Sequence, residues 1–321
     1  MNAFVTPQDH IYRLEKIMES KVFLVTGATG DTGSKVTQFL LEKGYKGRAF
    51  VHKKDERSTK LADLGAEIVV GDLLDFQSVR GALGGVSGAY FVYPIAPGLI
   101  EATAFFAQSA SEAHVGHIVN MSQISARREA KSHGAFNHWI AERVFDWSGL
   151  SVTHLRPTFF AEWFLYRDIK IGSQKEFFNG LVKMGFSKDG KHAPIAAEDQ
   201  ARVIVSILEN PGPHAGKSYP LFGPREYTYP EAFAEISEIL NRKIRYEEIP
   251  LKVWEERIAN TRSPFLAQHL VEVAKDHAAG VFSGTNDVVK RITGKGPMGL
   301  REFVAKNKTF FETGGAAKVI E

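Results

Sequence analysis

The chain has 321 residues, with 40 lysines and arginines against 37 aspartates and glutamates, a formal net charge of +3 and no cysteine. That length holds one large α/β domain, or a domain with a smaller appendage, and either buries a proper core. The charge is too small and too evenly spread for a nucleic-acid surface, no stretch is long and apolar enough to span a bilayer, and without thiols there is no disulfide framework, thiol nucleophile or thiolate metal site.

A soluble, cytoplasmic protein is therefore expected, with neither nucleic acid nor membrane as partner. In the leader, residues 1–20, Ile11, Leu14 and Met18 fall on one helical face. That face docks on the domain or on a second copy in a homodimer, or else the leader frays.

The apolar run KVFLVT leads directly into Gly27-Ala28-Thr29-Gly30-Asp31-Thr32-Gly33, and the helical pattern SKVTQFLLEKG follows. A strand that must turn sharply into a helix needs glycine. Gly27 can adopt backbone angles closed to other residues, Gly30 leaves room for a phosphate, and Gly33 lets helix and strand touch. The amides at the helix start then face an anion, with the helix dipole behind them. A plain strand-to-helix turn is the alternative, and the context decides against it.

From Lys21 to about Pro157, strand patterns (KVFLVTG, RAFVH, AEIVVGD, GAYFVYP, HIVNMS, SVTHLRP) alternate with helical patterns at 33–43, 56–64, 75–83, 98–114 and 135–148. Alternation of this kind predicts a doubly wound, mostly parallel Rossmann sheet of the α/β class, with its ligand at the carboxyl ends of the strands. The second strand ends in His52-Lys53-Lys54, where an NAD enzyme would carry an acidic residue for the ribose. Two lysines attract a 2′-phosphate, so NADP(H) is preferred over NAD(H), with Arg48 further back as support; Asp55 and Glu56 weaken the case and a solvated basic turn is the alternative. After the third strand, Asp72 and Leu73 are placed to hold and cover an adenine, unless Asp72 caps the next helix. Tyr93-Pro94, in a loop stiffened by two prolines, borders pyrophosphate and nicotinamide, and Ser122 ends the fifth strand.

These features resemble the short-chain dehydrogenase superfamily and, within it, the NmrA-like group of atypical members. The resemblance rests on GATGDTG, EIVVGDLLD, HWIAERVFDWSGLSVTHLRPTFFAEWF, IAAEDQARVIVSIL and GKSYPLFGPREYT. It implies either an NADPH-dependent reductase of quinones, dyes, alkenes or imines, or a non-catalytic NADP(H) sensor acting through a protein partner. Ordinary members carry Tyr-x-x-x-Lys about a dozen residues after the serine. Here those positions are Gly134 and His138, so the tyrosine is missing; the literal match Tyr166–Lys170 is out of register. His138 and Glu142 fit the group's His-x-x-x-Glu, one turn apart on one helical face, with the carboxylate raising the imidazole's pKa. A purely structural histidine is the alternative. Tyr93, Ser122, His138 or solvent supplies the proton. The resemblance also puts the backbone of Pro157, Thr158 and Phe160 beside the nicotinamide carboxamide, and makes Arg156 an ion-pair partner rather than a catalyst.

Phe159, Phe160, Trp163, Phe164 and Tyr166 crowd one stretch. Some belong to a core, but five together suggest an apolar or aromatic ligand, with Phe159, Trp163, Phe164 and Tyr166 contacting it. No metal is expected, because His114 and His117 lack a carboxylate partner at ligand spacing. The stretch IAAEDQARVIVSILEN reads as a helix entered through Glu198 or Asp199, KSYPLFG as a late strand, TYPEAFAEISEILNRKIRYEEIP as a helix with Phe233, Ile236 and Leu240 inward followed by a short strand, and 251–259, 264–278 and 299–311 as further helical patterns, with Trp254 and Phe265 as candidates for a lid. The expected organisation is a dinucleotide-binding core at 21–158, completed by about 194–222, and a smaller interwoven substrate-side region at 159–190 and 223–321.

Overall fold

The computed structural model describes residues 21–165, 179–260 and 262–313. The leader, with Ile11, Leu14 and Met18, and the segment carrying Tyr166 and Lys170 lie outside the described residues.

Seven parallel strands form the central sheet: β1 (Val22–Val25), β2 (Lys46–Val51), β3 (Glu67–Val70), β4 (Gly88–Phe91), β5 (Ile118–Met121), β6 (Val152–Pro157) and β8 (Ser218–Leu221). They lie in the order β3-β2-β1-β4-β5-β6-β8, so the order reverses between β1 and β4 and opens a crevice above their carboxyl ends. Every residue of β4 and β5 is buried, as strands covered on both faces must be, whereas β3 on the edge has none. On one face lie α1 (Asp31–Glu42), α2 (Glu56–Asp63), α6 (Ala197–Glu209) and α10 (Val288–Thr293), which share a core with Val25, Tyr90 and Leu155. On the other, α3 (Phe76–Leu83), α4 (Leu99–Glu112) and α5 (His133–Trp147) close over Leu24, Phe91 and Ile118.

A second core gathers the 3-10 turn Ala161–Leu165, β7 (Leu181–Met184), α7 (Tyr229–Leu240), β9 (Arg245–Glu248), α8 (Leu251–Ala259), α9 (Pro264–Ala278), α11 (Leu300–Lys306) and α12 (Lys308–Thr313). Strands β7 and β9 pair in parallel as a separate two-stranded sheet. The chain then returns to the first core, where Val288 and Val289 of α10 pack among the residues of α6.

Several expectations change here. The pattern at 299–311 breaks at Asn307 into two helices. Neither Glu198 nor Asp199 caps α6: Ala196 stands at its N-cap without a side-chain bond, and the Ala197 amide donates instead to both carboxylate oxygens of buried Glu162, at 3.1 and 3.0 Å. Asp199 accepts from the Met298 amide at 2.6 Å and pairs with Arg202. Trp254 is no lid, being fully buried beside Phe186 in the second core.

Candidate functional site

The glycine turn has the geometry that its sequence asks for. Gly27 sits at φ +54°, and a Cβ there would lie 2.6 Å from Val92 Cγ1. Gly33 meets the turn so closely that a Cβ would fall on the Gly27 carbonyl, 2.8 Å from its carbon. Thr26 Oγ1 accepts from the Val92 amide at 2.8 Å and donates to its carbonyl at 3.0 Å, so the ends of β1 and β4 are pinned together beneath the turn. Helix α1 has Gly30 at its N-cap with no side-chain bond, and its first internal bond runs from the Ser34 amide to the Gly30 carbonyl. The hydroxyl of Thr32 is buried with no partner among the described residues. Uncapped amides and an unpaired hydroxyl at a helix start have the chemistry that a dinucleotide's pyrophosphate requires.

On the β2–β3 side, His52, Lys53 and Lys54 are all exposed at the strand end. The acidic neighbours are engaged elsewhere: Asp55 caps α2, accepting from the amides of Arg57 and Ser58, and pairs with Arg57, while Glu56 pairs with Lys60. Arg48 does not reach this edge. Its guanidinium is held by Glu67 at 2.8 Å and by the carbonyls of Ala82 and Gly84. Asp72 is exposed and accepts from the Leu74 amide at 2.9 Å; the cap of α3 is Asp75, so the capping alternative for Asp72 falls away. Leu73 is half-buried beside it.

A cavity of about 830 Å³ opens at the carboxyl ends of β4, β5 and β6. Tyr93, Pro94, Ser122, His138, Pro157 and Thr158 line its sheet side. Tyr93 donates to the Pro97 carbonyl at 2.9 Å, and burial, with Asp72 and Glu101 nearby, pushes its pKa up. It is a wall rather than an activated acid. Ser122 Oγ is buried; it helps keep the neighbouring Glu142 ionised, yet no group completes a hydrogen bond of ordinary geometry to it. Glu142 does pull the pKa of His138 upward, as expected, but it is not the larger influence. Burial dominates and pushes the His138 imidazole down to about 4, against only a partial opposing pull from Glu142. The Glu142 carboxylate belongs to Arg156, whose Nε lies 2.8 Å from Oε1 and whose second nitrogen grips Oε2. Burial is the largest single influence and raises the Glu142 pKa, but the hydrogen bonds of Arg156 and Ser122 and the charges of Arg156 and His154 together leave the group below its usual range. His114 and His117 are structural: His114 follows α4 in a left-handed conformation, and His117 bonds Ser151 at 2.8 Å and Thr153 at 3.0 Å. Among the described residues no three potential ligands cluster for a metal.

The far side of the cavity is aromatic and aliphatic. Phe159 stacks on Phe282 with centroids 4.4 Å apart, and Phe160 and Trp163 continue the wall. Phe164 does not reach it; it is buried against Phe233 in the second core. Nor does Phe265 line it, lying half-buried near His133. The wall that was not foreseen is α9, which contributes Leu266, His269, Leu270 and Val273. It is fixed to the loop before α5 at both ends: Arg127 grips Asp276 through two bonds of 2.8 and 2.6 Å, the His133 amide donates to Gln268 Oε1 at 3.0 Å, and Gln268 donates to the Lys131 carbonyl at 2.8 Å. A wall tied in this way is a fixture, not a lid.

An all-parallel, doubly wound sheet with a glycine turn at its switch point and a cavity beside it defines a dinucleotide-binding α/β protein. The chain belongs to the NmrA-like family, whose model matches residues 19–304. It is 28% identical over 293 residues to an NAD(P)H azoreductase of Xenophilus azovorans, covering 90% of this chain and 99% of that one. Among solved structures, it resembles the Citrobacter sp. triphenylmethane reductase complexed with NADP(H), with a TM-score of 0.75 at 23% identity, over 89% of this chain and 99% of the other. The negative transcriptional regulator NmrA in complex with NADP is as similar in fold, with a TM-score of 0.77 at 17% identity over 93% and 98%. No helix among the described residues is long and apolar enough to cross a membrane.

Proposed function

We propose that the chain is an NADPH-dependent reductase of small apolar or aromatic acceptors such as quinones, conjugated alkenes, imines or azo dyes. The observation that carries this reading is the large cavity walled by Phe159, Phe160 and Trp163 directly beside Ser122, His138 and Pro157 at the strand ends. A protein that only senses a dinucleotide has no use for such a chamber. The similarity to an azoreductase over nearly the full length supports it further.

The dihydronicotinamide, when bound, supplies the hydride. The turn from Gly27 through Thr29, Gly30, Asp31 and Thr32 to Gly33 binds the pyrophosphate through main-chain amides. His52, Lys53 and Lys54 meet the 2′-phosphate, a role favoured by the engagement of Asp55 in its own helix cap. Asp72 and Leu73 bracket the adenine, and Tyr93 and Pro94 close the edge. Ser122 and His138 orient the nicotinamide ribose; His138, kept neutral by burial, offers an N–H rather than a charge. Pro157, Thr158 and Phe160 position the carboxamide, while Phe159 and Trp163 seat the acceptor and exclude water.

The purified full chain, mixed with NADPH and in turn with a naphthoquinone, an azo dye, an enone and a cyclic imine, is expected to oxidise NADPH with at least one of them. Tight NADPH binding with no oxidation by any acceptor would overturn the reading and leave the sensor alternative.

A further inference from the structure

The position that ordinary dehydrogenases fill with tyrosine is Gly134, near the start of α5, and the space above it is filled. A Cβ at Gly134 would lie 2.7 Å from Nδ1 and 3.2 Å from Cγ of His269, so the imidazole of α9 rests directly on the glycine. Its orientation is fixed by Ser132, whose fully buried hydroxyl lies 2.7 Å from His269 Nδ1. The same oxygen already accepts the Ala135 amide at 3.1 Å as the cap of α5. No other acceptor for the serine proton is found among the described residues, so that proton points at Nδ1 and the imidazole carries its own hydrogen on Nε2. His269 makes no other hydrogen bond among the described residues, and its ring lines the cavity beside His138.

We propose that Nε2–H of His269 is the hydrogen-bond donor for the acceptor's heteroatom, the carbonyl oxygen of a quinone or enone or the nitrogen of an imine or azo bond. Its chemical role rests on the reductase reading, although its location rests on geometry alone. As hydride from the reduced nucleotide adds to one end of the conjugated system, the displaced electron pair settles on the heteroatom at the other. A neutral N–H aimed at that atom stabilises the charge as it develops, and solvent delivers the proton once the reduced product leaves the cavity. The imidazole stays neutral throughout; burial, reinforced by the adjacent His138, holds its pKa at about 3. An uncharged donor also leaves the cavity hospitable to apolar acceptors.

Two measurements test this. Calorimetric titration of the NADP-loaded chain with menadione and with methylnaphthalene, its hydrocarbon counterpart, is expected to favour menadione by about 10-fold, the worth of one good hydrogen bond. His269→Phe should erase that preference, His269→Gln, which keeps an N–H, should restore most of it, and Gly134→Ala should impair it by pushing the ring aside. In turnover with menadione, His269→Phe should lower kcat by about 100-fold with a smaller change in KM. NADPH affinity should be unchanged in all three variants, which certifies that they fold. A His269→Phe protein that keeps both the menadione preference and kcat overturns the proposal. If the wild-type chain reduces no acceptor, the reductase reading falls, and the calorimetric comparison still decides His269: loss of preference upholds the donor, retention refutes it.

Discussion

At Gly33, helix α1 packs on the turn before it with no room for a side chain. Any side chain there must displace main chain, since the nearest atoms are the carbonyl group of Gly27 and Ala28 Cα. Gly33→Ala is therefore expected to cost about 2 kcal/mol of stability, which denaturant unfolding would measure, and to weaken NADPH binding with it. The role proposed for Lys53 and Lys54 is one of charge instead of space. Replacing both by alanine should raise the Kd for NADPH far more than that for NADH, and equal losses would show that neither lysine reads the 2′-phosphate. The geometry of the glycine turn was legible in the sequence because it depends mostly on neighbours within a few residues. For the pair of His138 and Glu142 the sequence showed the pull of the carboxylate on the imidazole but not the burial that outweighs it, nor that Arg156 grips the same carboxylate from strand β6.

The elements of the sheet were legible as well, since short runs such as IVNM and GAYF are dominated by apolar and aromatic residues and admit one reading between two helical patterns. What the sequence concealed were contacts made across distance. Helix α6 borrows its cap from Glu162, 35 residues away, and the bond between Ser132 and His269 spans 137. Trp254 has the spacing of a lid residue and equally that of a core residue, and only the fold chooses between them. The remote cap is testable. Glu162→Ala should destabilise the protein by about 1 to 2 kcal/mol in denaturant unfolding, whereas Glu162→Gln, which retains an acceptor, should lose less.

Across the whole molecule, burial has collected several neutral imidazoles. His117, His138 and His277 are pushed down to about 4, His269 to about 3, and His192 is also lowered, chiefly by desolvation. Each has an ordinary value of 6.5 when unfolded, so below that pH the unfolded chain binds protons that the folded one refuses. Their contribution to stability is complete above pH 6.5 and is lost as the pH falls towards 4, with a limiting slope of about 1.4 kcal/mol per pH unit for each ring. Denaturant midpoints should thus drop steeply between pH 7 and pH 5, and a flat profile would contradict the assignment of neutral buried rings. The second core is also tied to the first at several places among the described residues. Phe160 bridges Ile195, Thr158 donates to the Phe282 carbonyl, and the Ala197 and Met298 amides donate to Glu162 and Asp199. A body held at one point can swing, but one held at several can only flex. Loading the protein with NADPH should accordingly leave its radius of gyration in small-angle scattering unchanged, and the proposed acceptors would enter by the yielding of side chains between the Tyr93–Ala96 loop and the start of α9.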